Sequence, residues 1–218
     1  MTAPSHSGLF LTFEGVEGGG KSTQMRTLAE RLRAAGRTVT ESIEPGGTRI
    51  GRQIRRILLE AAHQELSPTA ELLLFFASRA QAVDEVILPS LSGGHIVLSD
   101  RFTDSTLAYQ GAARGLGIEV VRDLDRVTCR GLKPRLTLVL DLDIELGLAR
   151  ARARNDQSGG SETRLDEESL AFHRRVRQAY HELAMSEPQR VALINAAQPA
   201  DAVAAAIWKH VEPLLALP

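Results

Sequence analysis

The sequence predicts a doubly wound α/β fold, in which a parallel sheet of five strands is flanked by helices. Short continuous apolar runs recur along the chain, and their length and composition are typical of strands buried on both faces of a parallel sheet. Helical patterns separate these runs. A helix that connects two strands by a right-handed crossover allows the strands to lie parallel in one sheet. Because 218 residues are about the size of one domain, we expect a single domain over residues 1–218.

The predicted elements follow these patterns in chain order. The strands are Leu9–Phe13, Val39–Ile43, Ile96–Ser99, Leu136–Leu140 and Val191–Ile194. The helices are roughly Lys21–Ala35, Thr48–Ala62, Pro68–Leu88, Glu119–Cys129, Ile144–Arg154, Asp166–Met185 and Ala200–Leu215. Ser67 before Pro68 is typical of a helix start, and Gly36 is typical of a helix end. The polar, glycine-containing stretch Asn155–Thr163 predicts a flexible loop.

Composition argues against several classes of protein. The 26 Lys and Arg residues nearly balance 27 Asp and Glu residues, and this net charge of −1 argues against a general polyanion binder, so we expect no nucleic-acid partner. Apolar runs such as Leu136–Leu140 are too short to span a bilayer, and Met1–Gly8 does not resemble a secretory signal. The single cysteine, Cys129, cannot form an internal disulfide bond, so we expect a location in the reducing cytoplasm.

The first predicted strand leads into a glycine-rich phosphate loop that fits the pattern G-x-x-x-x-G-K-[ST] between a strand and a helix. Its residues are Gly15, Val16, Glu17, Gly18, Gly19, Gly20, Lys21 and Ser22, and Thr23 follows it. In such a loop, backbone N–H groups form an anion site at the positive end of a helix. We expect Lys21 to bridge the β- and γ-phosphates and the Ser22 hydroxyl to be a Mg²⁺ ligand. The loop therefore predicts binding of a nucleoside triphosphate.

The rest of the chain favours a kinase over other proteins that carry such a loop. No Asn-Lys-x-Asp segment, which would read guanine in a GTPase, is present, and the chain is short for a motor ATPase. A kinase with a small acceptor needs a second anion site, an acceptor pocket and a mobile cationic cover. In a doubly wound fold, ligands bind beyond the carboxyl ends of the strands, so the residues there are candidates.

The second anion site is predicted after the second and third strands. Glu44–Thr48 forms a turn that opens an arginine-rich helix with Arg49, Arg52, Arg55 and Arg56. Asp100 ends the third strand, where a carboxylate commonly holds Mg²⁺ through water, and Arg101 beside it could clamp a phosphate. The alternative for this pair is an ion pair at the strand end. Asp141 and Asp143, after the fourth strand, favour a turn and a helix cap.

An aromatic residue and an arginine in the helix from Pro68 are candidates for the acceptor pocket. Phe75 and Arg79 are four residues apart and so share one helix face. A base could stack on Phe75 and accept a hydrogen bond from Arg79. The alternative is that the phenylalanines are simply buried, as we expect for Phe76.

A cluster of arginines before the predicted loop is the candidate cover, a lid over about residues 150–164. Arg150 and Arg154 share a face, Arg152 points away, and Arg164 lies beyond the loop. An arginine that closes over a transferring phosphoryl group is worth about 10³–10⁵ in kcat. The alternative is that these cations only complement the end of a helix, which is favourable in any protein.

Taken together, these segments resemble the thymidylate kinase family from Leu9 to about Leu215. The matching segments are FEGVEGGGKST, EPGGT, LLLFFASRAQ, SDRFTDSTLAYQG, LVLDLD and RARAR. The resemblance implies a nucleoside monophosphate kinase-like fold of the P-loop NTPase type. It also implies transfer of the γ-phosphoryl group of ATP·Mg²⁺ to dTMP, giving dTDP and ADP for dTTP biosynthesis, and a homodimer.

The resemblance assigns the contacts of the acceptor nucleoside residue by residue. It implies that Phe75 stacks on thymine and that Arg79 donates to the thymine O4. Thr106 and Gln110 match positions that line the thymine edge. Tyr109 matches the ring that packs against the sugar and leaves no room for a 2′-hydroxyl.

The resemblance likewise assigns the sugar hydroxyl and the phosphates. Glu17 matches the loop position whose carboxylate reaches the deoxyribose 3′-hydroxyl. Arg55 and Arg101 match the contacts of the acceptor phosphate, and Asp100 matches the magnesium-side carboxylate. The phosphate loop, with Lys21, would hold the ATP phosphates.

The position of the catalytic arginine divides this family into two arrangements. The loop interior here, Gly18-Gly19, carries no arginine, whereas the lid carries Arg150, Arg152 and Arg154, so the chain resembles the bacterial type. The resemblance implies that Arg150 or Arg154 is catalytic, together with Lys21, Arg101 and Glu17. Phe102 departs from the family pattern, because many relatives have tyrosine or histidine at this position.

Two other functions remain open from the residues. One is a deoxynucleotide or nucleoside kinase of the same fold with another acceptor. The other is a regulatory module that binds nucleotide without turnover. The joint presence of Lys21, Ser22, Asp100 and the lid arginines argues against the second.

Overall fold

The computed structural model describes residues 7–158 and 162–215, apart from the side chains of 157 and 158. Within these residues, five parallel strands form one sheet in the order β2-β3-β1-β4-β5. The strands are β1 (Leu9–Gly15), β2 (Val39–Ile43), β3 (Ile96–Asp100), β4 (Leu136–Asp141) and β5 (Val191–Asn195). The predicted fold class is confirmed. Residues 1–6 of the start of the chain and 159–161 of the predicted flexible loop lie outside the described residues.

Helices connect the strands throughout the described chain. They are α1 (Lys21–Ala34), α2 (Arg49–Leu59), α3 (Pro68–Ala82), α4 (Leu88–Ser92), α5 (Thr103–Thr106), α6 (Ile118–Thr128), α7 (Ile144–Ser158), α8 (Leu170–Ser186) and α9 (Ala200–Leu215). Two π-helical segments extend this set: Val83–Ile87 joins α3 to α4, and Leu107–Ala113 continues α5. In the parts of the chain that are described, the helices lack the combined length and apolar character that crossing a membrane requires.

Two helices are shorter than the sequence predicts. The helix expected over Thr48–Ala62 stops before Glu60, whose backbone is extended with ψ of 131°. The helix expected over Asp166–Met185 begins only after Ser169, whose side chain accepts a hydrogen bond from the Phe172 N–H at 3.2 Å. Ser169 is therefore the N-cap at which α8 begins. Its side chain satisfies an N–H of the first turn that has no partner inside the helix.

The segment from Thr103 to Ala113 is helical, although its sequence gives no helical pattern. It contains β-branched residues and Gly111, which are weak helix formers. Ala108 and Tyr109 are buried, so packing against the rest of the protein outweighs local propensity. This segment carries three of the predicted site residues, and its folding positions them.

The core lies on both faces of the sheet. Phe10 and Leu11 are adjacent in β1 and belong to different apolar clusters, as side chains that alternate along a strand must. Leu11 packs with α1, α8 and α9, whereas Phe10 packs with the segment from α3 to α4. The sheet is therefore rigidly held, and its carboxyl ends form a fixed base for the segments that follow the strands.

Candidate active site

A cleft of about 380 Å³ lies beyond the carboxyl ends of β1, β2 and β3. Glu44, Asp100 and the phosphate loop, each at the carboxyl end of a strand, line it together with residues of α2, α3 and α7. Most of the predicted site residues meet here: Glu17, Gly18, Gly20, Lys21, Ser22, Thr23, Arg55, Phe75, Arg79, Asp100, Arg101, Thr106, Tyr109, Gln110, Arg150 and Arg154. Gly15, Val16 and Gly19 lie beneath this surface, and the Val16 side chain is part of the core.

The phosphate loop contacts helix α7 backbone to backbone. Gly18 has φ of +68°, and a Cβ on it would lie 2.1 Å from the carbonyl oxygen of Gly147. A Cβ on Gly147 would lie 2.5 Å from the carbonyl oxygen of Glu17. The backbones of the loop and of α7 can therefore approach this closely only because both residues are glycine and carry no Cβ. The contact positions Arg150, one turn after Gly147, over the loop.

Ser22 and Asp100 meet at the floor of the cleft. The Ser22 hydroxyl donates to Oδ2 of Asp100 at 2.6 Å, which joins the start of α1 to the end of β3. Both residues offer hard oxygen atoms, which suit Mg²⁺. In the described residues no cluster of three or more His, Cys, Asp or Glu side chains could hold a metal ion. Mg²⁺ commonly keeps several water and phosphate ligands beside one or two from the protein, and the oxygen atoms of Ser22 and Asp100 fit such a site.

Two cations, Lys21 and Arg101, face the floor of the cleft. The Lys21 ammonium donates to the carbonyl oxygens of Val16 at 2.8 Å and Gly15 at 3.2 Å. Burial and the charge of Arg101 lower the pKa of Lys21 to about 8, although Asp100 and Glu17 oppose this change. Lys21 is therefore mostly cationic at neutral pH, as the binding of phosphate requires.

Arg101 is held in an unusual backbone conformation by many partners. Its φ is +73°, a region that costs about 1–3 kcal/mol for residues other than glycine and is common at functional sites. Its guanidinium donates to Glu17 Oε1 at 3.2 Å, to the Tyr109 hydroxyl at 3.1 Å and to the Ser105 hydroxyl at 3.0 Å. It lines the cleft with one face over the Tyr109 ring.

The Glu17 carboxylate is buried and remains ionised. Its Oε1 accepts from the Tyr109 hydroxyl at 2.5 Å as well as from Arg101. Burial alone would raise the pKa of Glu17. The His173 ring, the charges of Arg101 and Lys21 and the Tyr109 hydroxyl outweigh burial and lower this pKa to about 2.

Phe75 and Arg79 line one wall of the cleft, while Phe76 is in the core, as expected. The Arg79 side chain is only 1% exposed, and its Nε donates to Glu44 Oε2 at 2.6 Å. Its Nη2 donates to the Thr106 hydroxyl at 2.9 Å. Its Nη1 is buried and has no hydrogen-bond partner among the described residues. A buried donor without a partner beside a cleft is suited to a ligand oxygen.

Gln110 is also fixed by a buried carboxylate. Its amide nitrogen donates to Glu71 Oε1 at 2.8 Å, and Arg114 and Arg164 bind the same carboxylate. These contacts lower the pKa of Glu71, although burial acts in the opposite direction. Arg164 also donates to the carbonyl oxygen of Leu58 at 2.5 Å. Arg164 is therefore held by Glu71 and Leu58 at the far boundary of the predicted lid, and the lid over about residues 150–164 stays a prediction.

The remaining predicted arginines are more exposed than Arg79 and Arg101. Arg55 lines the cleft. Its Nε donates to Oε1 of Glu162 at 2.9 Å, and its Nη2 donates to Oε2 at 2.7 Å. Arg150 and Arg154 line the cleft, and Arg154 is largely exposed. Arg152 is exposed and does not line the cleft in the described part of the chain, as the helical spacing predicts.

Sequence reasoning missed the buried groups that support this site. Glu14 accepts hydrogen bonds from the Phe102 N–H at 2.7 Å, from the Tyr180 hydroxyl at 2.8 Å and from Ser105. Burial, with the charge of Asp104, raises the pKa of Glu14 to about 7. Glu44, directly after β2, was predicted only as part of a turn, and its buried ion pair with Arg79 was missed. Glu14 and Tyr180 carry no local signal.

Comparisons with known proteins identify similar chains. The family model described as thymidylate kinase matches residues 13–207. The chain is 50% identical over 209 residues to the thymidylate kinase of Solidesulfovibrio magneticus, covering 95% of this chain and 100% of that protein. It is 50% identical over 204 residues to that of Deinococcus radiodurans, covering 94% and 96%. The crystal structure of thymidylate kinase from Ehrlichia chaffeensis superposes with a TM-score of 0.76 at 30% identity, covering 94% of this chain and 98% of that one.

Proposed function

This chain belongs to the thymidylate kinase family, and we propose how its cleft performs the phosphorylation of dTMP by ATP. One observation supports the assignment of roles most strongly. The phosphate loop and the Phe75/Arg79 wall line one cleft, and Arg101, which lines it too, donates to the loop residues Gly15 and Glu17. Two nucleotides can therefore meet end to end, with their phosphates at Arg101.

The base of the acceptor stacks on Phe75. Arg79 donates from Nη1 to the thymine O4, because this donor is buried without a partner among the described residues. Thr106 and Gln110 line the edge of the base, and their bonds to Arg79 and Glu71 fix their orientation. Hydrogen bonds that are already in place reduce the ordering cost of binding.

The sugar lies between Tyr109 and Glu17. The Tyr109 ring is held by its hydrogen bond to Glu17 and by Arg101 above it, so it does not move aside for a 2′-hydroxyl. The ionised Glu17 carboxylate accepts a hydrogen bond from the 3′-hydroxyl. Both residues thus favour a deoxyribonucleotide.

The phosphates are held by separate cations. Lys21 and the backbone of the phosphate loop bind the ATP phosphates. Arg101 binds the acceptor phosphate, as does Arg55 when it exchanges its partner Glu162 for the phosphate. Catalysis consists of placing the two nucleotides in line and cancelling their repulsion, since the attacking phosphate oxygen is already anionic near neutral pH.

Ser22 and Asp100 would hold Mg²⁺, directly and through water. Bound there, the ion would offset the negative charge of the ATP phosphates. Arg150 and Arg154, on the cleft side of α7, would supply the lid charge as the phosphoryl group transfers. The loop interior, Gly18-Gly19, carries no arginine, so we assign the catalytic arginine to the lid.

We also propose that the protein is a cytoplasmic homodimer that forms through helices α2, α3 and α6. These helices pack together, yet each exposes apolar side chains: Ile57, Leu73, Val120 and Val127, the last with 76% exposure. An interface between two copies of the chain would bury these exposed apolar side chains. Light scattering should give twice the chain mass of 23.7 kDa, and V127E should reduce it. A monomer at micromolar concentration would contradict the proposal.

A panel of acceptors tests the proposed function. With ATP and Mg²⁺, release of ADP should be fastest with dTMP. It should be about 10–200-fold slower with dUMP, which lacks one methyl group. Phosphorylation of thymidine but not of dTMP would indicate a nucleoside kinase instead. Absence of any product at saturating dTMP and ATP would indicate a protein that only binds nucleotides.

A further inference from the structure

A buried histidine beside the phosphate loop has no part in the roles given above. His173 lies in α8, is 0% exposed, and stands with its ring edge against Phe172, 5.5 Å between ring centroids. It does not line the cleft in the described part of the chain. Its Nδ1 lies 3.3 Å from Oε2 of Glu17. His173 can therefore influence a substrate only through Glu17.

Three buried polar atoms that lack a hydrogen bond of normal geometry to any described residue meet at this point. Neither ring nitrogen of His173 nor Oε2 of Glu17 has a hydrogen bond of normal geometry to any described residue. Such atoms are costly when left unpaired. At 3.3 Å a small rotation of either side chain completes a hydrogen bond from Nδ1 to Oε2. The Nδ1 atom carries a proton in the cationic form and in one of the neutral tautomers.

The other carboxylate oxygen, Oε1, lies among residues of the cleft, with Tyr109 and Arg101 as its donors. A carboxylate accepts about four hydrogen bonds. Donors from Tyr109, Arg101 and His173 would leave one position for a substrate hydroxyl. Without a donor at Oε2, the buried oxygen is unpaired, and the carboxylate gains by rotating or by taking up a proton.

We propose that His173 is a positioning residue for the sugar site, because it donates to Oε2 of Glu17 and keeps Oε1 oriented towards the 3′-hydroxyl of the acceptor. This inference rests on the proposed role of Glu17 in binding that hydroxyl. It makes recognition of the 3′-hydroxyl depend on a residue in α8 that does not touch the substrate.

Binding of dTMP and of its 3′-deoxy analogue measures the effect directly. Calorimetry without ATP gives the ratio of the two dissociation constants, which needs no catalytic activity. H173F keeps a planar ring but removes the donor, and H173N places an amide nitrogen at the position of Nδ1. We expect H173F to reduce the preference for dTMP about tenfold, as loss of a hydrogen bond to a charged group does. H173N should keep most of the wild-type preference for dTMP over the 3′-deoxy analogue.

The outcomes separate the two claims. If E17Q leaves the preference for dTMP unchanged, the proposed role of Glu17 fails. If E17Q removes the preference and H173F does not change it, only the role of His173 fails. If H173F weakens the binding of both nucleotides equally, His173 is merely structural. If H173N behaves like H173F, the donor assignment is wrong. Thermal unfolding of each variant checks that the protein is folded.

Discussion

Replacement of Arg79 by alanine should destabilise the protein as well as weaken the binding of the acceptor. Arg79 and Glu44 form an ion pair with a distance of 2.6 Å, and their side chains are only 1% and 2% exposed. Removing one partner of such a pair leaves an uncompensated buried charge, which typically costs about 3–5 kcal/mol. In a chain of this size that cost lowers the Tm by about 10 °C.

A second substitution separates the effect on stability from the effect on binding. E44Q removes the charge that Arg79 neutralises, so the double variant R79A/E44Q should recover much of the stability that R79A loses. The coupling free energy in this double-mutant cycle should be about 1–3 kcal/mol. Binding of dTMP should stay weak in the double variant, because the donor to the thymine O4 is still missing. Affinity for ATP should be unchanged in all variants.

The pH dependence gives a further check. Burial raises the pKa of Glu44, and the charge of Arg79 opposes that rise. Without Arg79 the carboxyl takes up a proton more readily, so the destabilisation by R79A should be smaller at pH 5 than at pH 7. Urea unfolding of R79A and the wild type at pH 5 and at pH 7 measures this destabilisation. An R79A protein as stable as the wild type at pH 7, or one that loses affinity for ATP selectively, would refute this reasoning.

Three more predictions concern the lid, the loop contact and a buried acid. R150A or R154A should show one dominant loss of about 10³-fold or more in kcat, whereas R152A should turn over normally; near-normal turnover in all three would refute the lid assignment. G147A should lower kcat despite better helix propensity, because its Cβ would lie 2.5 Å from the Glu17 carbonyl oxygen; unchanged kinetics would contradict this. Because burial raises the Glu14 pKa to about 7, the stability that Glu14 contributes is lost as the pH rises from 4.5 to 7. In urea unfolding, E14Q should show about 3 kcal/mol less of this loss than the wild type. If the free energy of unfolding depends on pH in the same way in both proteins, the raised pKa of Glu14 is wrong.

Local sequence signals were sufficient for the sheet and the phosphate loop. Apolar runs place all five strands, because burial on both faces leaves few alternatives for short β-rich segments. The Gly15–Ser22 pattern carries its own chemistry, so its position needs no tertiary information. The helix from Thr103 to Ala113 was missed, since it forms only through packing against distant parts of the chain.

The supporting residues of the site could not be predicted in the same way. Glu44 and Arg79 are 35 positions apart, and Glu17 and His173 belong to segments that meet only in the folded protein. A single glutamate or histidine in a helix gives no sign of its partner. Arg164 is a similar case: its position beside a flexible sequence gave no sign that it binds the buried Glu71.

A crystal structure with bound dTMP tests the central claim, that two nucleotides meet end to end in this cleft. The account predicts a thymine ring about 4.5–7 Å from the Phe75 ring between centroids, as is usual for stacked rings. It also predicts O4 beside Arg79 Nη1 and the phosphate at Arg101. Electron density for the base or the phosphate away from these residues would contradict the account, even if ATP occupied the phosphate loop.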